Sequence, residues 1–414
     1  MYDVIIAGAG ASGTFCALSI KYNNPNLNVL LLEKNDKLGK KLLITGNGRC
    51  NLGNTDNNIR NYNSSSSLDE FKTILENNDY DFLNALFNDD NLDNYYYYLN
   101  KFGILIKKED TSTRLYPYSN QALTVCKSFE RALKKENVKI NYNYDVKKIV
   151  KNQDTFIIND DLKCKKLIIA TGGKTYTKTG SSGAGYEILK SFGHTITHLY
   201  PSLTNLKTDY KYINELQGVR ADAIVNLSID DKIIETEEGQ VQFTKDALSG
   251  ICVFNLSRNV GGYLRQKKDV KLIINYIPNY SVEEIKGYLK GFYGYNVETA
   301  LSCIINNKLA NVMTKELHLS NKKIKELTNA ELESICFTLK NMNFNITQTG
   351  DFDNAQVTSG GALLNEFTSY LESKKCKGLY AIGEVLDVDG KCGGYNLSWA
   401  FNSALIVSKN VNKP

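Results

Sequence analysis

The sequence has few of the residues that build metal sites and disulfide-bonded scaffolds. Its 414 residues include three His, five Pro and a single Trp, and none of its nine Cys falls in a C-x-x-C pair. Dispersed thiols and histidines provide neither the ligand spacing of a zinc site nor a thioredoxin-like dithiol. We expect no metal site, and reduced cysteines in a cytoplasmic protein.

Long hydrophobic runs and a strong charge bias are also missing. No run of 18 apolar residues is present, so a membrane span is not expected. The N-terminal "MYDVIIAGAG" lacks a basic leader region and indicates a first β-strand. The formal charge of +5 is small for this length and the lysines are dispersed, which does not favour a nucleic-acid partner. A small-molecule substrate is expected, whereas the oligomeric state is left open.

The first 33 residues carry a dinucleotide-binding pattern. A short apolar run is followed by Gly8, Gly10 and Gly13 in G-x-G-x-x-G spacing and then by a helical pattern. A second apolar run, "VLLLEK", ends in Glu33, 20 residues after Gly13. Glycines at this spacing let a pyrophosphate approach the N-terminus of a helix, and the acid can bind ribose hydroxyls. Because an acid at this position disfavours a phosphate on the ribose, the pattern predicts FAD or NAD and not NADP.

Three later turns favour FAD over NAD. "TGNGRCN", with Gly46 and Gly48, lets the backbone approach a flat ring, and its Asn47, Arg49 and Asn51 offer donors. Strand-like runs also end in "ATGG" (170–173) and in Gly383-Glu384. Near the C-terminus, Gly393-Gly394 precedes a helix whose N-terminus would stabilise the anionic charge of reduced flavin, with Asn396 as the expected N-cap.

These segments, together with "RLYPYSNQA", "LYPSL" and "AQVTSGGALLNEF", strongly resemble a family of bacterial flavoproteins. The family is described as aminoacetone-oxidase-like or bile-acid Δ4,6-reductase-like (BaiN-type) NAD(P)/FAD-dependent oxidoreductases, and the resemblance runs along the whole chain. It implies an α/β protein in which a Rossmann-like, two-segment FAD domain carries an inserted β-barrel-like domain and a small helical domain. We expect the FAD domain at 1–192 and 341–414, the β-rich insert at 193–280 and the helical domain at 281–340.

The resemblance and the turns together define the expected site. Val146, which the resemblance places against adenine, completes the set. The expected FAD contacts are Gly8, Gly10, Ala11, Ser12, Gly13, Glu33, Lys34, Lys41, Gly46, Gly48, Arg49, Cys50, Asn51, Val146, Ala170, Thr171, Gly172, Gly383, Glu384, Gly394, Tyr395 and Asn396. The expected catalytic residues are Asn47, Arg49, Lys245 and Asn396. Lys245 stands where the family often has His, in "FTKDALSGI", which indicates either a lysine proton carrier or a different substrate.

Several functions fit this site. The leading hypothesis is an FAD enzyme that uses NAD(P)H to reduce an enone-like C=C bond, and the alternative is oxidation of a small amine by O₂. A second dinucleotide motif is lacking, since "GSSGAG" (180–185) is the nearest candidate, so no dedicated NAD(P)H domain is expected. RNA modification is a third possibility, with the Lys/Tyr-rich segment 262–276 as a weak candidate, and a purely structural or sensory FAD is a fourth.

Two cysteines and two histidines are further candidates for chemistry near the flavin. Cys50 and Cys392 both lie in segments expected near the flavin, but their spacing matches no dithiol motif, so two unconnected thiols are expected. His194 and His198 lie where the chain leaves the FAD domain, and an ordinary surface or linker role is favoured for both over acid–base catalysis. His318 is isolated.

Overall fold

The computed structural model describes residues 1–56, 58–65 and 95–411. The chain divides into two compact units, which are Met1–Tyr200 with Gln356–Pro414, and Pro201–Ala355. The first unit is therefore built from two chain segments. The predicted boundaries at 192 and 340 differ from these by 8 and 15 residues, and the division of the insert at 280 stays a prediction.

Both units contain helices. They are α1 (Ala11–Asn23), α2 (Tyr95–Lys101), α3 (Ala122–Lys135), α4 (Ala184–Ser191), α5 (Ile251–Leu256), α6 (Val260–Arg265), α7 (Val282–Lys290), α8 (Val297–Ser302), α9 (Asn307–Glu316), α10 (Asn329–Lys340) and α11 (Tyr395–Asn410).

The strands are mostly short. They are β1 (Tyr2–Ala7), β2 (Val29–Leu32), β3 (Gly53–Asn54), β4 (Tyr62–Asn63), β5 (Ile106–Lys108), β6 (Arg114–Pro117), β7 (Lys139–Asn141), β8 (Ile149–Asn152), β9 (Thr155–Ile158), β10 (Leu162–Ile169), β11 (Tyr200–Ser202), β12 (Leu206–Thr208), β13 (Arg220–Ile229), β14 (Lys232–Phe243), β15 (Ala247–Ser249), β16 (Val270–Asn275), β17 (Met342–Thr349), β18 (Val357–Ser359), β19 (Leu379–Ala381) and β20 (Asp389–Gly390).

The first unit is centred on a parallel sheet. Strands β7, β2, β1, β10 and β19 pair in that order and all run parallel, while β9 and β8 extend the sheet antiparallel beyond β10. The continuous apolar runs of β1 and β2 are buried because both faces of the sheet are covered. Parallel order brings the carboxyl ends of β2, β1, β10 and β19 to one edge, where ligands bind in such sheets.

Helix α1 packs on this sheet, α11 packs against α1, and the two helices run parallel to each other. The ring of Phe15 in α1 lies 5.1 Å from that of Phe401 in α11, and near the helix ends Asn23 Nδ2 lies 3.5 Å from Ser408 Oγ. Both helices are buried along most of their length. The two N-termini therefore lie at the same end of the pair, at the carboxyl edge of the sheet.

The second unit contains a closed antiparallel barrel with the order β12-β15-β14-β13-β16-β17. Alternate residues of β16, namely Val270, Leu272 and Ile274, point into its core and are at most 2% exposed. Helices α7 to α10 are inserted between β16 and β17. The α/β class with a barrel and helices is thus confirmed, but β17 pairs with β16 in the barrel although the sequence assigned residues from 341 onwards to the FAD domain.

Candidate active site

The N-terminus of α1 lies directly after β1 and has no capping side chain. Its N-cap is Gly10, with φ −78°, and no side chain accepts a hydrogen bond from the first N–H groups. A Cβ added to Gly10 would have no heavy atom within 4 Å, whereas one on Gly13 would lie 1.9 Å from the carbonyl oxygen of Gly8. Gly10 thus faces open space beside unsatisfied N–H groups, which fits a pyrophosphate, and Gly13 is needed for helix and strand to pack.

Glu33 follows β2 at the same sheet edge and is 7% exposed. Its Oε2 accepts from the N–H of Ala9 at 2.9 Å, and its Oε1 accepts from the backbone and side-chain nitrogens of Asn35 at 2.8 and 2.6 Å. The backbone N–H of Tyr144 bonds to the Glu33 carbonyl, which brings the segment that contains Val146 to this end of β2. These residues could hold the adenosine half of FAD.

Lys41 and Glu384 form an ion pair beside the carboxyl ends of β10 and β19. Lys41 Nζ lies 2.6 Å from Glu384 Oε2, after β19, and 2.9 Å from Thr175 Oγ1, after β10. The other carboxylate oxygen of Glu384 accepts from the N–H of Thr358 at 2.9 Å. The sequence predicted Lys41 and Glu384 as separate cofactor contacts. It did not predict their pairing, nor the two threonines that complete the group.

The "TGNGRCN" turn contains three consecutive residues with left-handed backbone angles. Gly46, Asn47 and Gly48 all have positive φ, at 56°, 55° and 80°, and Asn47 is exposed. Arg49 anchors the turn, since its guanidinium bonds to Glu109 Oε1 at 3.0 Å and to the Tyr116 hydroxyl at 2.9 Å and lies 4.1 Å from the centre of the Tyr116 ring. Arg49 therefore positions the turn. Tyr116 lies in the "RLYPYSNQA" motif, which gave the only sequence signal for this contact.

The N-terminus of α11 is packed against the next segment of the turn. Its N-cap is Gly394, with φ 101°, and no side-chain cap is present. A Cβ on Gly394 would lie 2.4 Å from the Gly53 carbonyl oxygen and 2.6 Å from Asn51 Oδ1. Asn51 Oδ1 is buried without a hydrogen-bond partner. An uncapped helix of 16 residues beside an unsatisfied amide fits the polar edge of a flavin ring.

Asn396 is not the N-cap that the sequence predicted. Its side chain accepts from the Gly390 N–H and donates to the Gly390 carbonyl, both at 2.8 Å, so it closes the loop in front of α11. The left-handed backbone at Gly394 suits glycine, and this conformation starts the helix two residues earlier. Tyr395 is buried, with its ring 5.8 Å from that of Tyr62. Both residues support the loop.

The remaining predicted contacts of the first unit lie near these groups. Ser12 Oγ faces Gly383, and Lys34 Nζ bonds to Ser182 Oγ at 3.1 Å. Thr171 Oγ1 is buried without a partner, and it lies between Ala170 and Gly172 at the end of β10. Lys245 lies in the other unit, in the turn between β14 and β15, where it is exposed. Its catalytic role stays a prediction.

Burial changes the pKa of two candidate residues of this unit, Cys50 and His194. Burial raises the pKa of Cys50 to about 12, which keeps its thiol neutral, and neither Cys50 nor Cys392 forms a disulfide. His194 is buried between Glu366 Oε2 at 3.0 Å and Ser373 Oγ at 2.7 Å, and its ring stacks on Phe367. Burial lowers the pKa of His194, so it joins two segments as a neutral ring.

The described residues offer neither a membrane-spanning helix nor a metal-binding cluster. No helix of 1–56, 58–65 and 95–411 is long and apolar enough to cross a membrane. No group of three or more His, Cys, Asp or Glu in those ranges could hold a metal ion.

Comparison with known proteins identifies the family. The family described as "HI0933-like protein Rossmann domain" matches residues 2–410. The chain is 31% identical to the 3-dehydro-bile acid delta(4,6)-reductase of Clostridium scindens, over 99% of this chain and 98% of that protein. It is 28% and 26% identical to the ribosomal RNA dihydrouridine synthases of Escherichia coli and Haemophilus influenzae, again over 99% of this chain and 98% of each. The chain belongs to the HI0933-like family, which confirms the predicted resemblance and the FAD-dependent oxidoreductase class.

Proposed function

We propose that this member of the HI0933-like family is a reductase that saturates a C=C bond conjugated with a carbonyl group, with NADH or NADPH as electron donor. The observation that carries the proposal is the parallel pair of helices α1 and α11. Both begin at the carboxyl edge of the sheet, and neither has a capping side chain. One N-terminus suits a pyrophosphate, and the other suits negative charge on a reduced flavin ring.

The names of the relatives point to one kind of bond. A 3-oxo steroid with double bonds at positions 4 and 6, and the uracil ring of uridine, both contain a C=C bond conjugated with a carbonyl group. Saturation of such a bond needs a hydride at the carbon remote from the carbonyl and a proton at its neighbour. Bound FAD would supply the hydride, while the protein supplies position and electrostatics.

The residues of this chain would then act as follows. The N–H groups at Ala11 to Gly13 bind the pyrophosphate, and the carboxylate of Glu33 accepts from the ribose hydroxyls. The N–H groups at the start of α11 stabilise negative charge by about 0.3–2 kcal/mol. Asn47, exposed on the anchored turn, offers its amide to the substrate carbonyl. The Lys41–Glu384 pair fixes the strand ends on which these contacts depend.

Anaerobic reduction tests this proposal. Purified holoenzyme is titrated without oxygen, first with NADH and then with NADPH, while the visible flavin spectrum is recorded. We expect rapid bleaching by one of them. Because the chain has no second dinucleotide motif, donor and substrate should use the site in turn, and steady-state plots should show ping-pong kinetics. Persistence of the oxidised spectrum, with bleaching by small amines instead, would support the oxidase alternative and contradict the proposal.

A second candidate substrate is a uridine within RNA. The names of two relatives that align over 99% of this chain favour it, and the uracil C=C bond meets the same chemical requirement. The two candidates are distinguished by incubating the enzyme and donor with a 4,6-dien-3-one steroid or with protein-free ribosomal RNA. Saturated steroid supports the first candidate, and dihydrouridine in the digested RNA supports the second.

A further inference from the structure

The segment from Tyr288 to Lys325 contains more lysines than acidic residues. It has six Lys and two Glu, a formal charge of +4. Three of its tyrosines are exposed, with relative exposures of 48% for Tyr288, 68% for Tyr293 and 60% for Tyr295. Lysines and exposed aromatic rings thus occur together in this segment.

The backbone holds this segment in a fixed shape. The N–H of Lys325 donates to the Tyr293 carbonyl at 3.1 Å, and the N–H of Ile324 donates to the Tyr295 carbonyl at 3.0 Å. The rings of Tyr288 and Tyr295 lie 5.3 and 6.0 Å from that of Phe292, which lies between them. The tyrosines are therefore arranged before any ligand arrives, which reduces the entropy lost on binding.

The lysines beside these rings are available for a partner. Lys290, Lys323 and Lys325 are exposed, and none of them forms an ion pair with another described residue. Their neighbours Lys286 and Lys322 differ, since they are paired with Glu333 and Glu331 at 3.1 and 2.5 Å. Three unpaired cations therefore lie among exposed aromatic rings.

In the segment 262–276, which the sequence suggested as a weak RNA candidate, two of the four cationic side chains are paired with acids. Lys268 Nζ lies 2.6 Å from Asp230, and Lys271 Nζ lies 2.9 Å from Asp231 and 2.6 Å from Asp269. These lysines close a strand connection of the barrel. Neither tyrosine of the segment 262–276 is exposed, whereas three tyrosines of the segment 288–325 are.

We infer that this surface binds single-stranded RNA, with bases stacked on the tyrosines and phosphates beside the lysines. It is called the Tyr/Lys surface and consists of Tyr288, Lys290, Tyr293, Tyr295, Lys323 and Lys325. Stacking and phosphate contact are the two interactions by which proteins bind single strands without reading their sequence. The inference rests on the second candidate function, in which the reduced base belongs to RNA.

The test measures binding without catalysis. Oxidised holoenzyme, with no donor present, is titrated into a fluorescein-labelled, uridine-rich single-stranded RNA, and anisotropy is recorded at several salt concentrations. The double variant Tyr293→Ala/Tyr295→Ala should bind at least about tenfold more weakly, because it loses stacking. The conservative variant Tyr293→Phe/Tyr295→Phe should bind like the wild type. Lys323→Gln/Lys325→Gln should lower the slope of log K against log salt by about 0.7 per lysine.

Tyr118→Ala is the matched control. Tyr118 belongs to the first unit, is 67% exposed and has Lys107 Nζ 5.6 Å from its ring centre, so the variant removes a similar exposed tyrosine and should leave RNA binding unchanged. Absence of RNA binding at low salt, equal binding by the Tyr→Ala variant, or a change in oligomeric state in place of RNA affinity would overturn the inference. Flavin reduction by NAD(P)H is measured in parallel. If RNA binding fails but NAD(P)H still reduces the flavin, the proposed reductase chemistry is unaffected.

Discussion

Replacement of Gly10 by Ala tests whether α1 begins at a phosphate site. The backbone at Gly10, with φ −78° and ψ −164°, is open to Ala, and the added Cβ meets no heavy atom within 4 Å. We therefore expect the free energy of unfolding of the apoprotein to stay the same or to rise by up to about 1 kcal/mol. The methyl group would instead occupy the space in front of the helix N–H groups, so FAD binding should weaken.

The size of this loss follows from the hydrogen bonds that the methyl group blocks. A hydrogen bond to a charged group contributes about 1.5–3 kcal/mol. Loss of roughly two such bonds to phosphate costs about 3 kcal/mol, which raises the Kd for FAD about a hundredfold. The assay is titration of apoprotein with FAD, followed by flavin fluorescence, with urea unfolding of the apoprotein alongside.

Substitutions at two other glycines serve as controls. Gly13→Ala places a Cβ 1.9 Å from the Gly8 carbonyl oxygen, so it should destabilise the apoprotein itself. Gly287→Ala lies in α7 of the other unit with no heavy atom within 4 Å, so it should leave FAD affinity unchanged. If Gly10→Ala binds FAD as tightly as the wild type, or unfolds as readily as Gly13→Ala, the phosphate site is wrongly assigned.

Three further predictions concern the site and its support. Asn47→Gly keeps the left-handed backbone and removes the amide, so kcat/KM should fall about tenfold or more at unchanged FAD affinity, whereas full activity would assign Asn47 a backbone role only. Lys41→Met and Glu384→Gln should each weaken FAD binding. A double-mutant cycle measured by FAD titration should give a coupling energy of at least about 0.5 kcal/mol. Additive losses would show that the two side chains do not act as a pair. Burial lowers the pKa of His194, so the ring is neutral in the folded state and becomes protonated in the unfolded chain below about pH 6.5. The free energy of unfolding should therefore fall as the pH drops below that value. Urea unfolding of His194→Gln should show a flatter pH dependence than that of the wild type.

The sequence predicted those parts of the site that are local in the chain. Gly10 and Gly13 lie within one strand-turn-helix, and Glu33 ends the next strand, so spacing alone relates them. The three-part architecture came from the resemblance to a known family. Its barrel was predicted without β17, because the pairing of β17 with β16 spans the inserted helices and leaves no mark on local spacing.

Contacts between distant segments could not be predicted in this way. Lys41 and Glu384 are 343 positions apart, and their ion pair depends on strand order at the sheet edge. Asn396 was expected to cap α11 because Asn is a common N-cap residue. The structure instead starts α11 at Gly394, since the close approach of Gly53 leaves no room for a Cβ there.

Anaerobic reoxidation of the reduced enzyme tests the central claim most directly. The bound flavin is reduced by light, without NAD(P)H, and is then mixed with a 4,6-dien-3-one steroid or with protein-free ribosomal RNA. The account predicts that one of them restores the oxidised flavin spectrum, with one saturated C=C bond formed for each flavin reoxidised. If neither substrate restores the spectrum and only oxygen does, the enzyme is not a C=C reductase of these two substrate classes, and the account is contradicted.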